Sequence, residues 1–271
     1  MSKNASNFVE FKNSNRIWAI GSIHSNIDSF NLIKDHIFSN FKQNDKLIFL
    51  GNIIGLGNKA ADTISNVLNL RFNLMAKYSL EPDDIVFLRG AQEEMFHKLL
   101  QLQTAPNPLE IINWMYSRGV DKTLESYNFN PKEIKKIASQ GTIQISKWTS
   151  KLNFIKTSIS GHKEYFSNLK HAAFTESKKI LFVNRGVDVS RPLSAQNDCF
   201  WWGYQDFSLI DKPYNSFKRI VRGYQSGNND VFKNSKNNVI CTLFRQPLTN
   251  KKILGGIFSE NGDIIDLFES K

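Results

Sequence analysis

The chain has 271 residues, 41% of them apolar, which is enough for one large domain with a sizeable core. No apolar run approaches the roughly 18–20 residues of a membrane span. The opening stretch lacks the apolar centre of a secretory signal, and the two cysteines, Cys199 and Cys241, form no C-x-x-C pair. Together these argue against a membrane-spanning protein, a disulfide framework and a zinc ribbon, and they favour a cytoplasmic location. The formal net charge of +10 admits RNA, DNA or a phosphorylated surface as partner. The basic residues are nevertheless dispersed, as in "ESKKI", "FKRIVRG" and "TNKKI", which suits a solvated basic surface.

In chain order, residues 1–15 are polar and are expected to be flexible. The apolar runs "RIWAI" (16–20), "KLIFL" (46–50) and "DIVFL" (84–88) predict strands, each ending in or near a glycine. Between the first two, "DSFNLIKDHIFSNF" has apolar residues at helical spacing, with Asp28 as the expected N-cap. Between the second and third, "NKAADTISNVLNLRFNLMAKY" predicts a longer amphipathic helix. Strand, loop and helix thus alternate, which implies a parallel α/β sheet with its functional loops at the C-terminal edge. Residues 91–157 lack strand signals and restart helices after Pro or Asp, so they predict a helical insert or cap within a single domain spanning 1–271. From residue 180 strands return in "KILFVN", "FKRIV", "NNVICTLF", "KILGGIFSE" and "DIIDLFE", predicting a mixed or antiparallel sheet. The Asn-Gly pair in "ENGD" predicts a hairpin between the last two.

The loops that follow these strands read "GSIHS", "FLGNIIGLG", "FLRGAQEE", "LFVNRGVD" and "IVRGYQSG". In order and spacing this series resembles the calcineurin-like metallophosphoesterases, in particular the small bacterial serine/threonine protein phosphatases and their diadenosine-tetraphosphatase relatives. In that family the loops read G-D-x-H-G, G-D-x-x-D-R-G, R-G-N-H-E, V-H-A-G and G-H-T-P. The segments "WMYSRGVDKTLESY" and "GVDVSRPLSAQNDCFWW" are similar to further family stretches, and the resemblance extends over about 16–268. It implies an α/β fold: a metallophosphoesterase-like two-sheet sandwich flanked by helices, with a helical insert. It also implies a site for two divalent metals, such as Mn or Fe/Zn, that activate a water and clamp the phosphoryl oxygens.

Carried over loop by loop, the first carboxylate position is Ser22, while the histidine two residues on survives as His24. The bridging carboxylate falls on Asn52, and the next acid and the phosphate-binding arginine fall on Gly55 and Leu56. The amide ligand is Ala91 and the general-acid histidine is Gln92. The last two histidine ligands are Asn184 and Tyr224. No histidine follows His171 anywhere in the chain. Neutral amides and one imidazole lack the anionic charge that two cations need, so no metal, cofactor or catalytic residue is expected. The expected function is therefore that of an inactive phosphatase-like protein acting by binding a protein or phosphoprotein. A residual metal-dependent phosphoesterase and a basic RNA-binding module are the alternatives. A further expectation is that Ser22, His24, Asn52, Gln92, Asn184 and Tyr224 line one pocket. Within it, direct or water-bridged hydrogen bonds are expected among His24, Asn52, Asn184 and Tyr224.

Several other residues have structural explanations. Gly21, Gly51, Gly90 and Gly186 suit strand-to-loop turns with unusual backbone angles. Arg89 is expected to hydrogen-bond within the fold, and Glu93 and Glu94 to complement a helix dipole rather than serve as replacement acids. Trp201, Trp202 and Tyr204 are expected to pack, and Trp114 and Tyr116 to seat the insert on the sheet.

Overall fold

The computed structural model describes residues 7–203, 209–225, 239–245 and 251–270. Strands β1 (Phe8–Phe11), β2 (Ile17–Ile20), β3 (Lys46–Phe49), β4 (Ile85–Phe87), β5 (Ala172–Thr175), β6 (Ile180–Val183), β7 (Arg219–Arg222), β8 (Ile240–Thr242), β9 (Leu254–Phe258) and β10 (Ile264–Glu269) form two five-stranded sheets. One sheet has the order β1-β5-β6-β7-β8 and the other β10-β9-β2-β3-β4. Strands β2, β3 and β4 are parallel, with Ile17 opposite Lys46 and Leu47 opposite Ile85. The strands of the C-terminal half divide between the two sheets. β6, β7 and β8 pair in parallel, while β9 crosses over to pair antiparallel with β2.

Alternation along each strand explains the layers. Ile17, Ala19, Ile48, Leu50 and Val86 point between the sheets, where they meet Phe11, Phe182, Val221 and Cys241. Their neighbours Trp18, Ile20, Leu47, Phe49 and Phe87 point outward under a helical layer. Burial on both faces makes these strands continuous apolar runs rather than alternating ones. On the far side, Leu181, Val183 and Ile220 are covered by Phe200, Trp201, Tyr214 and Phe217. Both cysteines are buried free thiols.

The helices are α1 (Ile27–Asn40), α2 (Ala60–Tyr78), α3 (Ala91–Leu99), α4 (Pro108–Tyr116), α5 (Val120–Ser126), α6 (Pro131–Ile137), α7 (Thr142–Ser158), α8 (His162–Ser167) and α9 (Cys199–Trp202). The N-cap of α1 is Asn26, whose side chain accepts from Ser29 N, so the expected cap Asp28 sits inside the first turn instead. Helices α4 and α6 start as their sequences dictate, with Pro at the first position and an Asn cap before it. Residues 91–158 are helical and share one apolar core with β3 and β4 through Phe96, Tyr127 and Leu152.

Two expectations need correction. The N-terminal stretch read as flexible contains β1, which pairs in parallel with β5 through Phe8 opposite Ala172. It was hidden because "FVEF" is short and set among polar residues. Trp114 does not seat the insert on the sheet. It is 39% exposed and packs against Trp202, ring centroids 5.8 Å apart. The "ENGD" hairpin does form, with Gly262 at φ +82°. Tyr204 lies outside the described residues. No helix among the described residues is long and apolar enough to cross a membrane.

Candidate functional site

The loops after β2, β3, β4, β6 and β7 meet at one edge of the sandwich, joined by their own backbones. Ile23 N and His24 N donate to Asn52 O at 3.1 and 2.9 Å, Ser22 N donates to Gly223 O at 3.1 Å, and Gly223 N donates to Asn184 O at 3.0 Å. Side chains add further links. Asn52 Nδ2 donates to Ser22 Oγ at 3.2 Å and Ser22 Oγ to Gly223 O at 2.7 Å. Asn52 Oδ1 accepts from Gln92 N at 3.0 Å, and Asn184 Nδ2 donates to Leu50 O at 2.6 Å. The His24 ring lies edge-on to Tyr224 at 5.9 Å, and Tyr224 packs on Phe244 at 4.7 Å.

Among the described residues the direct hydrogen bond among His24, Asn52, Asn184 and Tyr224 is the backbone one from His24 N to Asn52 O, and no direct side-chain bond links the four to one another. Asn52 and Asn184 bond instead to Ser22, Gln92 and the Leu50 carbonyl. His24 is 4% exposed, and neither ring nitrogen has a hydrogen-bond partner among the described residues. Burial pushes its pKa down to about 3, with the Ile54 backbone a smaller opposing influence. The ring is therefore neutral at pH 7 and is not poised for proton transfer there.

The loop backbone is strained at this edge. His24, Ser25, Asn52 and Leu56 all have positive φ, at 51°, 60°, 54° and 61°. Such conformations cost on the order of 1–3 kcal/mol each and persist only where the surroundings enforce them. Glu93, at the start of α3, does much of the enforcing. Its carboxylate is 1% exposed and accepts from the amides of Asn52, Ile53, Ile54 and Gly90 at 2.9, 2.8, 3.3 and 3.0 Å. The Tyr165 hydroxyl adds a donor at 3.3 Å. Burial raises the Glu93 pKa, and the amides partly offset this. Glu93 thus serves the first turn of α3, where it accepts from Gly90 N, and cross-links the loops as well. Glu94 pairs with Arg89 at 2.9 Å, giving Arg89 its expected internal hydrogen bond.

The insert closes over the loops. Gln92 Nε2 donates to Arg118 O at 2.9 Å, which directs the Gln92 side chain across Gly55. A Cβ on Gly55 would overlap the Gln92 amide, and Gly55 itself has φ +90°. Leu56 abuts Gly119 in the same way, where a Cβ would again collide. Ala91 begins α3. The position of the second acid is therefore filled from α3, and that of the arginine is occupied by an apolar side chain against the insert.

The two divalent cations that the fold implies do not fit these residues. Holding them takes carboxylates for charge and bridging, with imidazoles and an amide to complete the shells. One neutral imidazole and neutral amides cannot supply this charge, even though Asn184 Oδ1 and Gln92 Oε1 have no hydrogen-bond partner among the described residues. Among the described residues no three His, Cys, Asp or Glu side chains come together to hold a metal ion. Sequence reasoning missed the Glu93 cross-link and the arginines Arg185 and Arg222, whose only signal was their position beside Asn184 and Tyr224 in "NRG" and "VRGY".

No protein-family model and no curated protein matches this chain. Solved structures do. A protein assigned as a diadenosine tetraphosphatase is 15% identical, covering 98% of this chain and 99% of its own, with a TM-score of 0.51. A protein serine/threonine phosphatase from Saccharomyces cerevisiae, with similarity to human phosphatase PP5, is 14% identical at a TM-score of 0.52, covering 98% of this chain and 84% of its own. A cold-active protein tyrosine phosphatase is 11% identical at a TM-score of 0.50, covering 95% of this chain and 79% of its own. At such identities the likeness speaks to the fold, and the two sheets, their helices and the converging loops agree with it: the chain has the calcineurin-like metallophosphoesterase fold.

Proposed function

We propose that this chain is a pseudo-metallophosphoesterase, a phosphatase-like scaffold that acts by binding rather than by hydrolysis. The observation that carries this reading is the Gln92 side chain lying across Gly55 and tied to Arg118 O. A metal carboxylate is absent there, and the space it would use is taken. Changes outside the coordination sphere alone typically cost about 10–100-fold in metal affinity or activity. Here none of the residues at the ligand positions, Ser22, His24, Asn52, Ala91, Asn184 and Tyr224, carries a negative charge, and Gly55 offers no carboxylate beside them. The partner fitting this reading is a cytoplasmic protein or phosphoprotein, with no role for the membrane.

The test is turnover of p-nitrophenyl phosphate, a phosphoserine peptide and diadenosine tetraphosphate, with and without manganese. No rate above background is expected. A manganese-dependent rate that disappears in His24→Ala would sink the proposal.

A further inference from the structure

The far end of α3 borders a polar cavity of about 290 Å³, set between that helix, the turn Leu102–Thr104 and α7. Lys156, in the last turn of α7, lines it. Lysines are almost never buried without a partner, yet Lys156 is only 8% exposed. Its ammonium makes no hydrogen bond or ion pair with the described residues. What it meets is the Phe166 ring, whose centroid lies 5.0 Å away. The ammonium keeps a trace of contact with solvent, so an ion can reach it. No aspartate or glutamate lines the cavity, and Glu94 of α3 is engaged by Arg89 and Lys98.

The rest of the wall is largely neutral and polar. Thr149 Oγ1 donates to Gln103 Oε1 at 3.3 Å, which leaves the Gln103 amide nitrogen free to donate in turn. The hydroxyls of Ser146 and Ser150 and the amide of Asn153 are not committed to any described side chain or backbone group. The His97 ring contacts Gln101 Nε2 at 3.2 Å. Burial, with Arg89 a further cause, lowers its pKa, so it adds little charge at pH 7. An ammonium withdrawn from water is costly unless a charge or hydrogen bonds replace the water, and the face of Phe166 compensates only in part. Burial accordingly lowers the Lys156 pKa.

We propose that this cavity binds a small hydroxycarboxylate, with its carboxylate on Lys156 and its hydroxyl among Gln103, Ser146, Ser150 and Asn153. One ammonium without a second cation matches a single carboxylate, through a charge-assisted hydrogen bond. Uncommitted amides and hydroxyls match a ligand hydroxyl, which both donates and accepts. Leu100 is the apolar side chain of the wall, so a long hydrocarbon tail finds no seat. The cation is buried while Ser150 and Asn153 are exposed, which suits a small acid that enters whole. The site is separate from the converged loops and holds whether or not they hydrolyse a phosphoester.

The experiment is an amide-resolved NMR titration of the full chain, labelled with nitrogen-15, using lactate, propionate and lactamide at constant ionic strength. Lactate is expected to shift amides within residues 97–103 and 146–156. Propionate lacks the hydroxyl and should bind about fivefold more weakly, the effect of one neutral hydrogen bond. Lactamide lacks the charge and should bind about tenfold more weakly or worse. Lys156→Met keeps an apolar stem against Phe166 and should weaken lactate by about tenfold or more. Ser150→Ala lies at an exposed position and should weaken lactate but not propionate, so it decides the matter if Lys156→Met does not fold. The proposal is overturned if lactate leaves these amides unmoved, if lactamide binds as well as lactate, or if the folded variants bind lactate as the wild type does. A triglutamate peptide that binds more tightly than lactate would mark a docking surface for an acidic protein and overturn the assignment of a small acid.

Discussion

Gln92 occupies the space that a side chain on Gly55 would need, and the two residues exclude each other. Gly55→Asp places a Cβ against the Gln92 amide and puts a non-glycine residue at φ +90°. Gly55→Asp alone is expected to destabilise the protein by about 2 kcal/mol or more. Gln92→Ala removes the overlap but leaves the backbone strain, so the double variant should recover part of the loss. Urea midpoints of the two single variants and the double variant measure this coupling, and simple additivity would refute the contact.

Glu93→Ala should be among the most damaging substitutions in the chain. It leaves buried amides of Asn52, Ile53, Ile54 and Gly90 without their acceptor. A loss of about 3 kcal/mol or more is expected, because hydrogen bonds to charged groups contribute about 1.5–3 kcal/mol each. Glu93→Gln keeps one acceptor oxygen and should lose less. Chemical denaturation ranks the two; equal losses would show that the carboxylate oxygens do not share the amides as described.

Stability should fall on acidification below about pH 6.5, the ordinary histidine value. His162 is fully buried, between Tyr127 Oη at 2.8 Å and Ser65 Oγ at 3.1 Å, and burial lowers its pKa to about 4. Lys156 contributes to this lowering and Asp62 opposes it. His24 is shifted the same way, to about 3. The native state keeps both rings neutral while the unfolded chain takes up protons near pH 6.5. Their contribution is therefore full above that value and is lost as pH falls toward about 4. Each ring contributes a slope of up to about 1.4 kcal/mol per pH unit. His24→Asn, which tolerates the left-handed backbone at this position, should flatten the profile of unfolding free energy between pH 6.5 and 4. An unchanged slope would mean that His24 titrates normally in the folded state.

Metal uptake should be absent from the wild type and partly restored by repair. The repaired chain carries Ser22→Asp, Asn52→Asp, Ala91→Asn, Gln92→His, Asn184→His and Tyr224→His. Calorimetric titration with manganese should show binding only in this variant, with phosphatase activity lagging because Gly55 and Leu56 remain. No uptake by a folded repaired protein would mean that these positions do not converge on a coordination site.

The strand–loop–helix order of the first half was legible because β2, β3 and β4 are buried on both faces and so appear as unbroken apolar runs. The pairing of β9 with β2 was not legible, because it joins residues more than two hundred positions apart and leaves no local pattern. At the site, each position could be assigned from its place after a strand. What Gln92 and Glu93 do there could not. Gln92 reaches a carbonyl of the insert, and Glu93 reaches the loop after β3, and neither contact has a periodicity or spacing that a sequence displays.

The carboxylate of Glu93 also bears on how this edge of the protein responds to its surroundings. A bound ion can be diluted, chelated or exchanged, and any loop geometry that depends on it follows the supply of that ion by mass action. Glu93 is a tether within the same chain, always present at the same effective concentration and gathering peptide N–H groups. Loops held in this way are expected to keep their geometry in EDTA and in manganese alike.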